Sequence, residues 1–143
     1  MNSRLLVTLQ FLLVGAIVIP KPHATTLCSF WWLFLILSGG VTWWTFRHNR
    51  FGNFNIVPEI KPKAQLITTG PYRYVRHPMY SALLLAAAGI VCYRSHWLNW
   101  LLFVLLACVL YLKASKEERL WCARHEAYDC YRKGTKYFIP FLW

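Results

Sequence analysis

Three groups of side chains in this sequence have types and spacings that suit joint chemistry. Arg76-His77-Pro78-Met79-Tyr80 sets a cation, an imidazole and a phenol around a proline that fits the first turn of a helix. Glu117-Glu118 places two carboxylates side by side well downstream. Tyr72, Tyr74 and Tyr80 add ring faces for a flat base or a cation. A helix N-terminus offers free N–H groups and partial positive charge, which favour an anion, and Arg76 and His77 reinforce that end. The glutamates would take an amine or ribose hydroxyls.

The elements that position these groups are apolar. Of 143 residues, 57% are hydrophobic, and they fall in blocks separated by charged stretches. The runs are about 5–19, 27–46, 79–93 and 97–112. The expected fold is all-α: a polytopic membrane protein of about four transmembrane helices, one domain over 1–143, with a cofactor pocket on its cytoplasmic face. The first run is short for an apolar core of about 30 Å. A signal peptide is the competing reading there, but no small-x-small cleavage site follows it. The second run carries Trp31, Trp32, Trp43 and Trp44 near its ends, as interfacial anchors would be. Only Arg94-Ser95-His96 separates the third and fourth runs, which predicts a tight helical hairpin.

Charge sets the orientation. The chain has 16 Lys+Arg against 5 Asp+Glu, a net +11. The segment 47–78 holds Arg47, Arg50, Lys61, Lys63, Arg73 and Arg76 with the single acid Glu59, and 113–143 holds most of the other charges. Four spans with the basic segments inside place both termini and both charged segments on the cytoplasmic side. The hairpin then returns Glu117 and Glu118 to the surface where Arg76 and His77 lie. The tail begins as a continuation of the fourth helix and ends in the apolar stub Tyr137–Trp143, expected to lie along the interface. A compact basic chain of this kind suits a bacterial inner membrane or the endoplasmic reticulum.

A zwitterionic cofactor with an adenine, a ribose and a cationic centre would satisfy all three groups of side chains. S-adenosylmethionine has those parts, and a phosphate-bearing nucleotide would also fit the Arg-His end. Gly70-Pro71-Tyr72-Arg73-Tyr74-Val75-Arg76-His77-Pro78-Met79-Tyr80, followed by Glu117-Glu118-Arg119-Leu120 and then Tyr128, Tyr131 and Ile139-Pro140, resembles the isoprenylcysteine carboxyl methyltransferase and phospholipid methyltransferase family of integral membrane enzymes. The resemblance covers roughly residues 60–140. It implies an S-adenosylmethionine-dependent methyltransferase acting on a lipid-embedded or apolar acceptor, such as a prenylcysteine-like carboxylate or a phospholipid amine. It also implies cofactor contacts from Gln65, Leu66, Ile67, Tyr72, His77, Pro78, Met79, Tyr80, Glu117 and Glu118. Glu117, His77 and Arg76 are the expected catalytic residues. The family's substrate-facing arginine, four residues before the first glutamate, falls on Lys113, which keeps the charge without the bidentate fork. Ala82 stands where relatives often carry Gly, and Arg124-His125-Glu126 stands where they commonly have Phe-Gly before the acidic residue.

Other classes are weaker. Basic loops beside apolar helices answer to anionic lipid headgroups rather than to nucleic acid. Cys28, Cys92, Cys108, Cys122 and Cys130 form no CxxC pair, and His23, His48, His96 and His125 have no ligand spacing, so neither a disulfide framework nor a metal is expected. The expected partners are the bilayer and an apolar acceptor; the oligomeric state and the identity of the acceptor are not written in the sequence. Two alternatives are a nicotinamide-dependent membrane reductase, since sterol reductases look similar around Arg-His-Pro-x-Tyr, and a non-catalytic membrane protein that keeps the fold.

Overall fold

The structure, a computed structural model, describes residues 2–49, 57, 65–125 and 127–140. These residues form five α-helices and a 3-10 turn, with isolated bridges and no strand among them. The helices are α1 (Ser3–Val18), α2 (Trp31–His48), α3 (Pro78–Tyr93), α4 (Trp97–Arg124) and α5 (Ala127–Gly134), and the 3-10 turn is Gly70–Arg73. Arg50, Glu59, Lys61 and Lys63 lie outside the described residues.

Local chemistry sets the helix ends. The Asn2 side chain accepts from the Arg4 N–H at 3.2 Å and caps α1. Pro78 opens α3, where a missing N–H costs nothing. The His96 ring accepts from the Leu98 N–H at 3.2 Å and starts α4 directly after the two-residue turn Arg94-Ser95. α2 starts at Trp31, later than the hydrophobic run suggests, because Leu27–Phe30 are spent on a turn in which the Leu27 N–H reaches the Cys92 carbonyl at 2.9 Å. The loop after α1 and the α3–α4 turn are tied by paired bonds between Thr25 and Ser95, at 3.1 and 2.7 Å.

Among the described helices, only α4 is long and apolar enough to cross a membrane by length and composition. α1 and α3 are shorter apolar helices of 16 residues each. α2 has 18 residues, but Ser38, Gly39, Gly40, Thr42 and Thr45 dilute it. α2 packs along α3, and α1 along α4. The core where α1, α3 and α4 meet is Ile17, Ala87, Val91, Leu106, Leu110 and Ala114. Phe11, Leu12, Ile36, Leu37, Trp43, Trp97 and Val104 are exposed, as side chains facing lipid would be.

The C-terminal stub packs back against the start of α3. Over its described part it turns inward: the His77 N–H bonds the Tyr137 carbonyl at 3.2 Å, Ser81 Oγ donates to the Phe138 carbonyl at 2.6 Å, and Phe138 joins the core. The Tyr80 and Ser81 N–H groups at the start of α3 bond the His77 carbonyl, while the tail carbonyls take the Arg76 and His77 N–H groups just before the helix and the Ser81 hydroxyl.

The α2–α3 seam depends on small residues. Ser38 Oγ donates to the Ala82 carbonyl at 2.7 Å, and a Cβ on Gly89 would come within 3.0 Å of the Trp31 carbonyl oxygen and 3.1 Å of Phe34 and Leu35. Gly89→Leu should therefore lower stability by about 1–3 kcal/mol, the usual cost of overpacking. Gly39→Ala, where an added Cβ meets nothing within 4 Å, should be neutral or stabilising by up to about 1 kcal/mol. Thermal unfolding of both variants in detergent checks the contrast, and equal effects would remove the seam as the constraint.

Candidate active site

The segment before α3 is built to hold Arg76 and His77 rigidly. Gly70 has φ 62°, a left-handed conformation that suits glycine, and an added Cβ would run into the His48 ring. The 3-10 turn that follows leads into a short parallel pairing with the tail. There the Arg76 N–H donates to the Lys136 carbonyl at 2.8 Å, and the Lys136 N–H to the Tyr74 carbonyl at 3.1 Å. The backbone of both residues is thereby fixed before their side chains are considered.

Those side chains meet the charged end of α4, past its apolar stretch. Arg76 Nε donates to Glu118 Oε1 at 2.5 Å, and its Nη1 bonds the carbonyls of Arg132 and Thr135. The guanidinium also lies over the Tyr137 ring, 4.5 Å from its centroid. His77 sits between the two glutamates, with Nε2 3.3 Å from Glu118 Oε1 and Nδ1 3.5 Å from Glu117 Oε2. Tyr80 OH donates to Glu117 Oε1 at 2.5 Å, and its ring stacks on His77 at 5.5 Å and 9°. Arg76, His77 and Glu118 are all buried; Glu117 is partly open.

Burial would by itself lower the His77 pKa, but its hydrogen bonds and charge interactions with Glu117 and Glu118 outweigh burial and hold it above the ordinary histidine value. Glu118 shows the mirror image: burial would raise it, while the bonds from His77 and Arg76 hold it below the ordinary carboxylate value. Burial pushes the Tyr72 hydroxyl up, so Tyr72 is a neutral hydrogen-bonding group.

A cleft opens beside this cluster. Gln65, Leu66, Ile67, Tyr72, Arg76, His77, Pro78, Met79, Tyr80 and Glu117 line it. Glu118 is not in the lining; it stands behind Arg76 and His77 and neutralises them. Lys113 is not in the lining either. It is 2% exposed, and its Nζ donates to Gln10 Oε1 on α1 at 2.6 Å and lies 5.2 Å from the Tyr80 ring centroid. Asn49, Trp121, Tyr128 and Tyr131 line the cleft without having been assigned from sequence. Trp121 lies one helical turn past Glu117, so helical spacing offered a signal for it. Tyr131 OH donates to the Tyr72 carbonyl at 2.6 Å and bridges α5 to the 3-10 turn. Asn49, at the end of α2, had no signal beyond being polar after an apolar run.

The donor set matches a zwitterionic nucleoside. Glu117 is a carboxylate in the wall for a cationic group, Tyr72, Trp121, Tyr128 and Tyr131 are aromatic faces for a base, and Asn49 Oδ1 is a buried acceptor without a hydrogen-bond partner among the described residues. The described residues hold no group of three or more His, Cys, Asp or Glu side chains able to take a metal ion.

A histidine with a raised folded pKa stabilises the fold below its unfolded value, and that contribution is lost as pH rises through the folded value. The stability difference between wild type and His77→Gln should thus be constant below the ordinary value of 6.5 and shrink as pH rises above it. Thermal unfolding of both proteins from about pH 5 to about pH 9 checks this. A difference that grows with pH would mean that His77 sits there neutral.

The family model described as phospholipid methyltransferase matches residues 28–125, a range that holds both Arg76–Tyr80 and Glu117-Glu118. No curated protein matches the chain. The match spans well over half of the sequence and takes in α2, α3, α4 and the cleft wall between them. This chain belongs to the phospholipid methyltransferase family.

Proposed function

We propose that the chain binds S-adenosylmethionine in the cleft beside Glu117 and transfers its methyl group to an acceptor carried in the bilayer. The observation that carries this reading is the Tyr80–Glu117–His77–Glu118–Arg76 chain of hydrogen bonds, which holds one carboxylate in the wall of an aromatic cleft. Family membership makes methyl transfer to a lipid-type substrate the expected activity. When bound, S-adenosylmethionine supplies an electrophilic methyl group on a sulfonium centre.

The protein's own task is then proximity and orientation. Glu117, with one oxygen on Tyr80 and the other facing His77, presents a fixed negative charge to the cationic part of the cofactor. His77 and Arg76 are positioning residues: both ring nitrogens of His77 face the glutamates, and Arg76 is spent on Glu118 and on backbone carbonyls. A carboxylate or thiolate acceptor needs no base. An amine acceptor must first lose a proton, and the Glu117 carboxylate is the cleft group suited to take it.

The acceptor's apolar part has a place to lie. A groove of about 570 Å³ runs along α3 between α2 and the C-terminal stub, lined by Val41, Trp44, Tyr74, Leu84, Phe103 and Ile139. Phe138 lines the groove and packs 6.0 Å from the His77 ring, so groove and cleft share a wall. This favours an acceptor with a hydrocarbon chain, entering sideways from the bilayer. Lys113, expected beside the substrate, is instead buried and held by Gln10, outside the lining of both cleft and groove. In this reading α1–α4 all span. The short α1 and α3 are accommodated by local thinning and by flanking anchors, and both termini face the cytoplasm with the cleft.

Calorimetric titration of S-adenosylmethionine into the full chain, in detergent and in lipid nanodiscs, tests the reading. Wild type should bind saturably in the micromolar range, and Glu117→Ala should weaken binding by at least about tenfold, or about 1.4 kcal/mol, while the protein stays folded. Folded wild type that ignores S-adenosylmethionine in both media overturns it. Binding of a nicotinamide dinucleotide instead would point to a reductase.

A further inference from the structure

We propose that Asn49 reads the base of the cofactor, accepting a hydrogen bond at Oδ1 from the 6-amino group of adenine. This rests on the cofactor assignment above and deepens it.

Asn49 closes α2. Its N–H bonds the Thr45 carbonyl at 2.8 Å, so its backbone is fixed by the helix. Its side chain lines the cleft. Nδ2 donates to the Tyr72 hydroxyl at 2.7 Å, which leaves Oδ1 as the unspent atom. Oδ1 is buried and, among the described residues, has no hydrogen-bond partner. A buried acceptor left unpaired forfeits its hydration with nothing in return, so such atoms in native proteins usually have a partner.

The chemistry of the cleft selects that partner. The cofactor's donors are an ammonium group, ribose hydroxyls and the 6-amino group. Glu117 is the charged acceptor in the wall and suits the first two. A neutral amide oxygen, held by the phenol of Tyr72 in an aromatic-lined cleft, suits a neutral amine on a flat ring. Asn49 thereby gives the site a choice of base that Glu117 cannot supply, because a site built to hydrogen-bond one group strongly rejects an analogue lacking it.

S-adenosylhomocysteine and S-inosylhomocysteine differ at this group: the second carries a keto oxygen where the first carries the amine. Calorimetry on the full chain in nanodiscs should show wild type preferring the adenosyl ligand by at least about tenfold. Asn49→Ala should bring the two ligands within about threefold of each other. Asn49→Asp, which keeps an acceptor oxygen beside Tyr72, should retain the preference. If wild type binds both ligands equally, prefers the inosyl ligand, or keeps its full preference as Asn49→Ala, the inference fails while the cofactor assignment stands. If wild type binds neither ligand, both fall together.

Discussion

The whole charged end of the bundle depends on one buried ion pair, Arg76 with Glu118. Bringing a guanidinium and a carboxylate out of water costs several kcal/mol per ion, and the pair recovers this only if nearly every donor and acceptor is matched. The structure meets that condition with pieces from three places. α4 supplies Glu118, α5 and the residue after it supply the Arg132 and Thr135 carbonyls, and the tail supplies the Tyr137 ring over the guanidinium. Each piece is held because Arg76 needs it. The tail thus folds inward, and once inward it gives its own backbone to Arg76 and His77.

His77 turns this structural pair into a site. The ion pair alone would leave Glu117 loose on a helix surface. The imidazole between the two glutamates links the buried carboxylate to the partly open one, and Tyr80 holds the other Glu117 oxygen from one helical turn away. The spacing works because Pro78 fixes the start of α3. His77 lies just before the helix and Tyr80 inside its first turn, so both rings face α4 and stack. The α3–α4 hairpin fixes the height of Glu117 and Glu118 against that start, and the Thr25–Ser95 bonds and the Asn99 side chain on the Arg94 carbonyl fix the far end.

Much of this was legible in the sequence because it is written in short-range patterns. The four apolar runs give four of the helices, Pro78 and Arg94-Ser95-His96 give the hairpin, and Arg-His-Pro-x-Tyr with Glu-Glu gives the two halves of the cluster. What stayed hidden depends on long-range pairing. Arg76 and Glu118 look alike in sequence to residues that face a ligand, but Glu118 stands behind the cleft and most of the Arg76 guanidinium is turned to carbonyls. Lys113 has the charge expected beside a substrate, yet it crosses to Gln10, on a helix outside the region of family resemblance. Asn49 is invisible without the turn that brings Tyr72 to it. Periodicity finds faces; it does not say which of two faces holds a ligand and which holds the fold.

The cleft and the groove differ in chemistry, and the tail builds the wall they share. The cleft sets Glu117, Arg76 and tyrosine hydroxyls among aromatic and aliphatic side chains, while the groove is almost wholly carbon. In the proposed reaction a polar cofactor and an apolar acceptor would meet where the two touch. Phe138 and His77, packed ring against ring, form that boundary, with Ser81 pinning the Phe138 backbone from α3. The tail that serves Arg76 also delivers Phe138, so the carbonyls that pair the buried guanidinium and the ring that walls off the groove come from one segment of chain.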